Sequence, residues 1–163
     1  MRRREFIGGL AGAAAWPLSV RAQQTDRMRR VGVLMGVAEN EAEGQSRIKA
    51  FRQGLEDWGW AEGRNLRVDY RWAGGNIDRI RTFSAELVAL APEVIVANST
   101  PVLATLHQMT RDIPVVFVIV NDPVGLGYIE SMARPGGNIT GFYIELSLVG
   151  KWLELLSVRP ETY

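Results

Sequence analysis

The chain predicts an α/β fold: a doubly wound, mostly parallel five-stranded sheet with helices on both faces. Three observations carry this. The runs at residues 94–97 and 115–120 are short and rich in β-branched residues, and a segment of helical length separates them, which is the pattern of a βαβ unit. Both runs are apolar throughout, as strands covered on both faces are. Each stops abruptly in polar residues, Asn98-Ser99-Thr100 after the first and Asn121-Asp122 after the second. Both polar clusters therefore belong at the carboxyl edge of the sheet, where open α/β folds bind ligands.

Taken in order, residues 30–35 (Arg-Val-Gly-Val-Leu-Met) form the first strand, followed by a loop at 36–45 that carries Glu39, Glu41 and Glu43. From Ser46, the residues Ile48, Phe51, Leu55 and Trp58 recur at helical spacing, so all four are expected on a core-facing stripe. Gly59 and Gly63 bracket the exit. Leu66, Val68, Tyr70 and Trp72 alternate with Arg67, Asp69 and Arg71, the signature of a strand with one wetter face, placed toward a sheet edge. After Gly74-Gly75, Asn76 is a candidate cap for a second helix whose apolar face is Ile77, Ile80, Phe83, Leu87 and Leu90; Pro92 punctuates its end. Thr100 directly before Pro101 reads as a hydroxyl cap followed by proline at the first helical position, and this third helix runs to about Arg111. A fourth helix is expected over 123–133, then a turn at 134–138, a short strand at 139–142, and a last helix marked by Leu148, Trp152, Leu155 and Leu156. Short right-handed crossovers give the flavodoxin-like strand order 2-1-3-4-5.

The first 22 residues read differently. Arg2, Arg3 and Arg4 precede a Gly- and Ala-rich apolar stretch that ends in Ser19-Val20-Arg21-Ala22, the layout of a cleaved secretory leader, and Arg3-Arg4-Glu5-Phe6-Ile7 fits the twin-arginine pattern. The stretch is too short and too glycine-rich to span a bilayer well. The chain holds 19 basic and 18 acidic residues; the leader takes Arg2, Arg3, Arg4, Arg21 and Glu5 with it, leaving 15 against 17. A net charge near minus two gives no basic footprint for nucleic acid. The absence of cysteine excludes disulfides, thiolate metal sites and lipid attachment through a thiol, so stability must come from a hydrophobic core.

Several runs carry a family resemblance. Asn121-Asp122-Pro123-Val124-Gly125, the run Ala-Arg-Pro-Gly-Gly-Asn-Ile-Thr-Gly at 133–141, and Gly-Lys-Trp-Leu-Glu-Leu-Leu at 150–156 are similar to ABC-transporter substrate-binding proteins of the type that includes tryptophan and tyrosine binders. Phe51-Arg52-Gln53-Gly54-Leu55 and Gly63-Arg64-Asn65-Leu66 resemble that family too. The resemblance implies a type I periplasmic-binding-protein lobe at 23–145, about half of a two-lobed protein, with 146–163 as a terminal helix and the start of a crossover to a second lobe. It implies a periplasmic location, a small solute such as an amino acid as ligand, an inner-membrane ABC permease as partner, and neither cofactor nor metal.

The ligand residues expected on this reading sit at the strand ends. Ser99 and Thr100 offer hydroxyls, and the amides opening the Pro101 helix favour a carboxylate. Asp122 accepts from an ammonium, while Asn98 and Asn121 donate and accept. Glu39, in the loop after the first strand, belongs to a third wall. Each has a plainer alternative. Thr100 is a helix cap first; Asn121-Asp122-Pro123 is also ordinary turn chemistry; the three glutamates also read as a solvated acidic loop.

Other chemistry finds little support. His107 is the only histidine and lies within the third helix, about two turns from Ser99. Ser84 or Ser99 with His107 and Asp122 could nominally supply a Ser-His-Asp set, but no Gly-x-Ser-x-Gly elbow exists. Gly136-Gly137-Asn138 lacks the Lys-Ser or Lys-Thr that a phosphate loop needs. Trp58 and Trp72 are expected in the core, and Trp60 is unconstrained by pattern. An exported α/β enzyme and a sensory ligand-binding domain of the same fold remain the alternatives to solute capture.

Overall fold

The computed structural model describes residues 28–143. The predicted last helix and the leader lie outside them. Five strands form one parallel sheet in the order β2-β1-β3-β4-β5, as the crossover rules require. The strands are β1 Arg29–Met35, β2 Leu66–Trp72, β3 Val94–Asn98, β4 Val115–Val120 and β5 Ile139–Tyr143; the helices are α1 Ala42–Asp57, α2 Ile77–Ala89 and α3 Thr100–Met109. The sheet places β2 at an edge, in keeping with its alternating pattern.

Strand periodicity divides the apolar residues between two cores. On one face Leu34, Ile95, Ala97, Val115, Phe117 and Ile139 pack under α2 and α3, which contribute Ile80, Leu87, Val102, Leu103 and Leu106, all nearly inaccessible. On the other, Val31, Val33 and Met35 pack under α1 through Ile48, with Phe51, Leu55 and Trp72 at the margin. The larger core sits between the sheet centre and two helices, and it fixes the level of the strand ends.

Several element ends differ from the sequence expectations for local reasons. Helix α1 starts at Ala42, inside the stretch expected as loop. Glu43 in its first turn suits the positive helix end, and its ion pair with Arg47 one turn on supports the start. Trp58, expected on the apolar stripe, caps α1 beyond its last turn and is 86% exposed; the helical phase ends before its side chain can reach the sheet. Trp72 does pack against the second core.

Asn76 caps α2 as predicted, its side-chain oxygen accepting from the amides of Asp78 and Arg79, both at 3.0 Å. Asn76→Ala leaves both donors without that partner and is expected to lower stability by about 1 kcal/mol, read from the urea midpoint at unchanged slope.

The expected helix at 123–133 does not form. The segment is a chain of turns in which the amides of Leu126, Gly127 and Tyr128 donate to Asp122, Val124 and Pro123. Gly127 takes the left-handed conformation (φ 72°), which interrupts any helical run. The segment is nonetheless anchored, because Ile129 is buried and Tyr128 packs against the main core.

Candidate functional site

Register brings three strand ends level. Met35 of β1 pairs with Asn98 of β3, and Asn98 pairs with Val118 of β4. The residues that follow, Gly36, Ser99-Thr100 and Asn121-Asp122, therefore converge on the carboxyl edge. The Gly36 amide donates to the Asn98 carbonyl at 3.1 Å, and the Ser99 amide donates to the Val118 carbonyl at 3.2 Å. A methyl group on Gly36 would lie 2.4 Å from the Ser99 hydroxyl oxygen and 2.9 Å from the Asn98 carbonyl oxygen. Only a residue without a side chain lets β1 and the β3–α3 turn approach this closely.

Ser99 is the residue under strain. It occupies the capping position of α3 with φ 107° and ψ 156°, a region populated almost entirely by glycine, and its hydroxyl makes no capping bond. Thr100, expected to be the cap, is instead the first helical residue. Its hydroxyl oxygen accepts from the Asn121 amide at 3.1 Å, tying the β3 end to the β4 end. The capping position moves one residue, to Ser99, and the cross-strand bond holds Thr100 in the first turn against the extended bias that Pro101 imposes on the residue before it. Ser99 and Thr100 are half-buried and Asn98 is buried.

On β4 the register shifts between Val118 and Val120 around Ile119 (φ 57°). This bulge returns Val120 to the main core and turns Asn121 and Asp122 outward, where both are exposed. Asp122 is also left-handed (φ 41°), and one of its carboxylate oxygens accepts from the Gly125 amide at 2.9 Å. The turn role is thus real for one oxygen. Ser99, Ile119 and Asp122 thus hold positive φ along one edge, a conformation that costs free energy in residues other than glycine.

Glu39 lies apart. It is exposed, its carbonyl accepts from the Gln45 side chain at 2.6 Å, and no hydrogen bond joins it to the strand-end cluster among the described residues. The neighbouring Glu41 carboxylate accepts from the Ala38 amide at 2.7 Å and shapes this loop. Sequence reasoning missed the other contributor to the edge, Gly74-Gly75. The Gly75 amide donates to the Gly36 carbonyl at 2.6 Å and the Gly74 amide to the Val37 carbonyl at 3.0 Å, so the β2–α2 turn flanks the loop after β1. The glycine pair was the available signal, and it reads as a turn only.

Recesses of about 330 and 310 Å³ lie at the opposite, amino-terminal ends of the strands around Leu55, Trp60 and Leu66. No group of His, Asp or Glu side chains among the described residues is placed to hold a metal ion.

His107 faces away from the strand ends. Its ring meets that of Tyr128 edge to face, centroids 5.4 Å apart, and so holds the 121–138 segment against α3. Burial, and secondarily the charge of Arg111, lower its pKa from the ordinary 6.5. The neutral form is favoured in the folded state, so this contribution is complete above pH 6.5 and is lost as pH falls through the depressed value. The thermal midpoint is expected to drop between pH 7 and pH 5, and by less in His107→Phe, which keeps the ring contact and removes the titration.

Comparison with known proteins places this geometry. A family model described as ABC transporter substrate binding protein matches residues 31–161. A tyrosine-binding protein of Clostridioides difficile (strain R20291) is 34% identical over 108 residues, 66% of this chain and 31% of that protein. Among solved structures, an ABC domain in complex with L-Trp from Streptococcus pneumonia superposes with a TM-score of 0.65 at 28% identity, over 71% of this chain and 38% of that one. A conserved domain protein from Vibrio cholerae O1 biovar eltor gives 0.70 at 34% identity, over 80% and 43%. The ligand-free, open structure of a substrate binding protein with adhesive properties from Clostridium difficile gives 0.65 at 26% identity, again over 80% and 43%. The chain spans less than half the length of each. The strand order, the polar strand ends and a family match over most of its length lead to one conclusion: this chain belongs to the ABC transporter substrate-binding protein family.

Proposed function

We propose that the chain supplies one wall of a solute-binding cleft, taking a small polar solute with a carboxylate, such as an amino acid, at the carboxyl ends of β3 and β4. The observation that carries this is the strained Ser99 beside the opening of α3. Serine there costs about 1–3 kcal/mol of backbone strain that glycine would avoid, and the hydroxyl it supplies makes no capping bond. The amides at the start of α3 and the Ser99 hydroxyl suit a carboxylate. The second oxygen of Asp122 and the Asn121 side chain suit an ammonium. Relatives with L-Trp bound in one and tyrosine binding named for another support an aromatic amino acid as the solute, closed upon by a second lobe as the family resemblance implies. In that setting the protein is exported to the periplasm by its leader and delivers solute to an ABC permease. No helix among the described residues is long and apolar enough to cross a membrane.

The test is thermal unfolding with and without L-tryptophan and L-tyrosine, because a ligand that binds only the folded form raises the midpoint. Ser99→Gly is expected to raise the unliganded stability by about 1 kcal/mol, strain relief outweighing the added chain entropy, and to reduce the ligand-induced shift. An unchanged shift in Ser99→Gly would remove the hydroxyl from the site.

A further inference from the structure

One polar side chain is buried in an apolar row at the carboxyl edge. Register aligns Trp72 of β2, Met35 of β1, Asn98 of β3 and Val118 of β4, and neighbours in register project to the same face of a parallel sheet. Met35 and Trp72 belong to the core under α1, as do Val94 and Val96, which share the alternation of Asn98 along β3. Asn98 therefore lies on the α1 side, and it is 2% exposed. The hydrogen bonds at this edge run through its backbone carbonyl, which accepts from the Gly36 amide, and through the Thr100 hydroxyl. The Asn98 side chain takes part in none among the described residues. A buried amide without a partner is a cost to the fold that an apolar residue of similar shape would avoid.

This amide sits at the topological switch point. Helix α1 leaves β1 toward one face and α3 leaves β3 toward the other, so the strand order turns between β1 and β3, and the crevice of such a sheet opens at their carboxyl ends. Ser84 Oγ is the sole side-chain polar atom among the described residues that is both sealed from solvent and unpartnered. The Asn98 amide is thus unpartnered without being sealed, and a solute at the edge can reach it.

We propose that Asn98 reads the side chain of the solute, selecting an aromatic amino acid whose ring carries an N–H or O–H group, as indole and phenol do, over phenylalanine. This selection rests on the solute-binding wall proposed above, where the α3 amides and Ser99 take the carboxylate and Asp122 with Asn121 takes the ammonium. The ring substituent is then the one polar group of L-tryptophan or L-tyrosine left without a partner. Asn98 and Ser99 are consecutive, their Cα atoms about 3.8 Å apart, so both lie within the span of one such molecule. The amide suits either ring: its oxygen accepts from an indole N–H or a phenol O–H, and its nitrogen donates to the phenol oxygen. A site built to bond such a group rejects the analogue lacking it, because its own buried polar atoms then go unpaired.

The experiment is calorimetric titration of the full chain with L-tyrosine, L-tryptophan and L-phenylalanine, repeated on Asn98→Leu and on Asn98→Ala, which adds no bulk beside Met35 and Val118. The parent is expected to bind L-tyrosine and L-tryptophan at least about tenfold more tightly than L-phenylalanine. Both variants are expected to lose that preference while keeping the parent's affinity for L-phenylalanine. Equal affinities of the parent for L-tyrosine and L-phenylalanine, or a preference that survives both substitutions, would overturn the proposal and leave the solute-binding wall in place. An equal loss for all three ligands in both variants would also overturn it, assigning the amide a structural role. Binding of none of the three by the parent would overturn the wall and the selection together.

Discussion

Gly141→Ala is expected to lose about 3 kcal/mol or more of stability, enough to populate the unfolded chain at ambient temperature. Gly141 pairs with Phe117 across β4 and β5. A methyl group on it would stand 2.1 Å from the Phe117 carbonyl oxygen and 2.7 Å from the Phe117 amide nitrogen. These are backbone atoms held by the ladder, so no rotamer change relieves the overlap. Phe117 is fully buried at the centre of the main core, and displacing it opens a cavity under α3. Urea unfolding of Gly141→Ala against the parent chain measures the loss. A midpoint within error of the parent would mean that β5 does not pair as described.

Gly36→Ala is expected to act on the site and on stability together. Its methyl group meets the Ser99 hydroxyl oxygen at 2.4 Å and the Asn98 carbonyl oxygen at 2.9 Å, so the loop after β1 must part from the β3–α3 turn. The cost is about 2 kcal/mol of stability, with solute affinity reduced at least about tenfold because the site is held by backbone contacts that a shift of a few tenths of an ångström breaks. Calorimetric titration with L-tryptophan or L-tyrosine and urea unfolding on one preparation separate the two effects. A variant that kept its affinity would place the solute away from β1.

The parts of the fold visible in the sequence were those set by local periodicity. The apolar runs of β1, β3 and β4 and the alternation of β2 predicted the sheet and its order because a two-residue or continuous pattern states directly how many faces are buried. The Asn76 cap was legible because cap and donors lie within three residues of one another. Where the outcome depended on contacts distant in sequence, the reading failed. The length of 123–133 suited a helix, but Tyr128 and Ile129 gain more by packing on α3 and β4, and Gly127 permits the turns that take them there. Thr100 before Pro101 looked like a cap; the amide of Asn121, twenty-one residues on, claims its hydroxyl.

The candidate site divides the same way. Asn98, Ser99, Thr100, Asn121 and Asp122 could be assigned to one edge because parallel topology puts every strand's carboxyl end on the same side. Glu39 joins them on loop position alone; its carbonyl accepts from the Gln45 side chain and the neighbouring Glu41 carboxylate bonds locally to the Ala38 amide. The strain at Ser99 and the bulge at Ile119 leave no trace in composition, since both are set by how β1, β3 and β4 fit together.

The central claim, that the carboxyl ends of β3 and β4 form the solute-binding wall, is tested most directly by following backbone amide resonances of the ¹⁵N-labelled chain during titration with L-tryptophan and L-tyrosine. The account predicts that shifts concentrate at Gly36, Ser99, Thr100, Asn121 and Asp122. Shifts confined to Trp60, Leu66 and the other residues at the amino-terminal ends of the strands would contradict it.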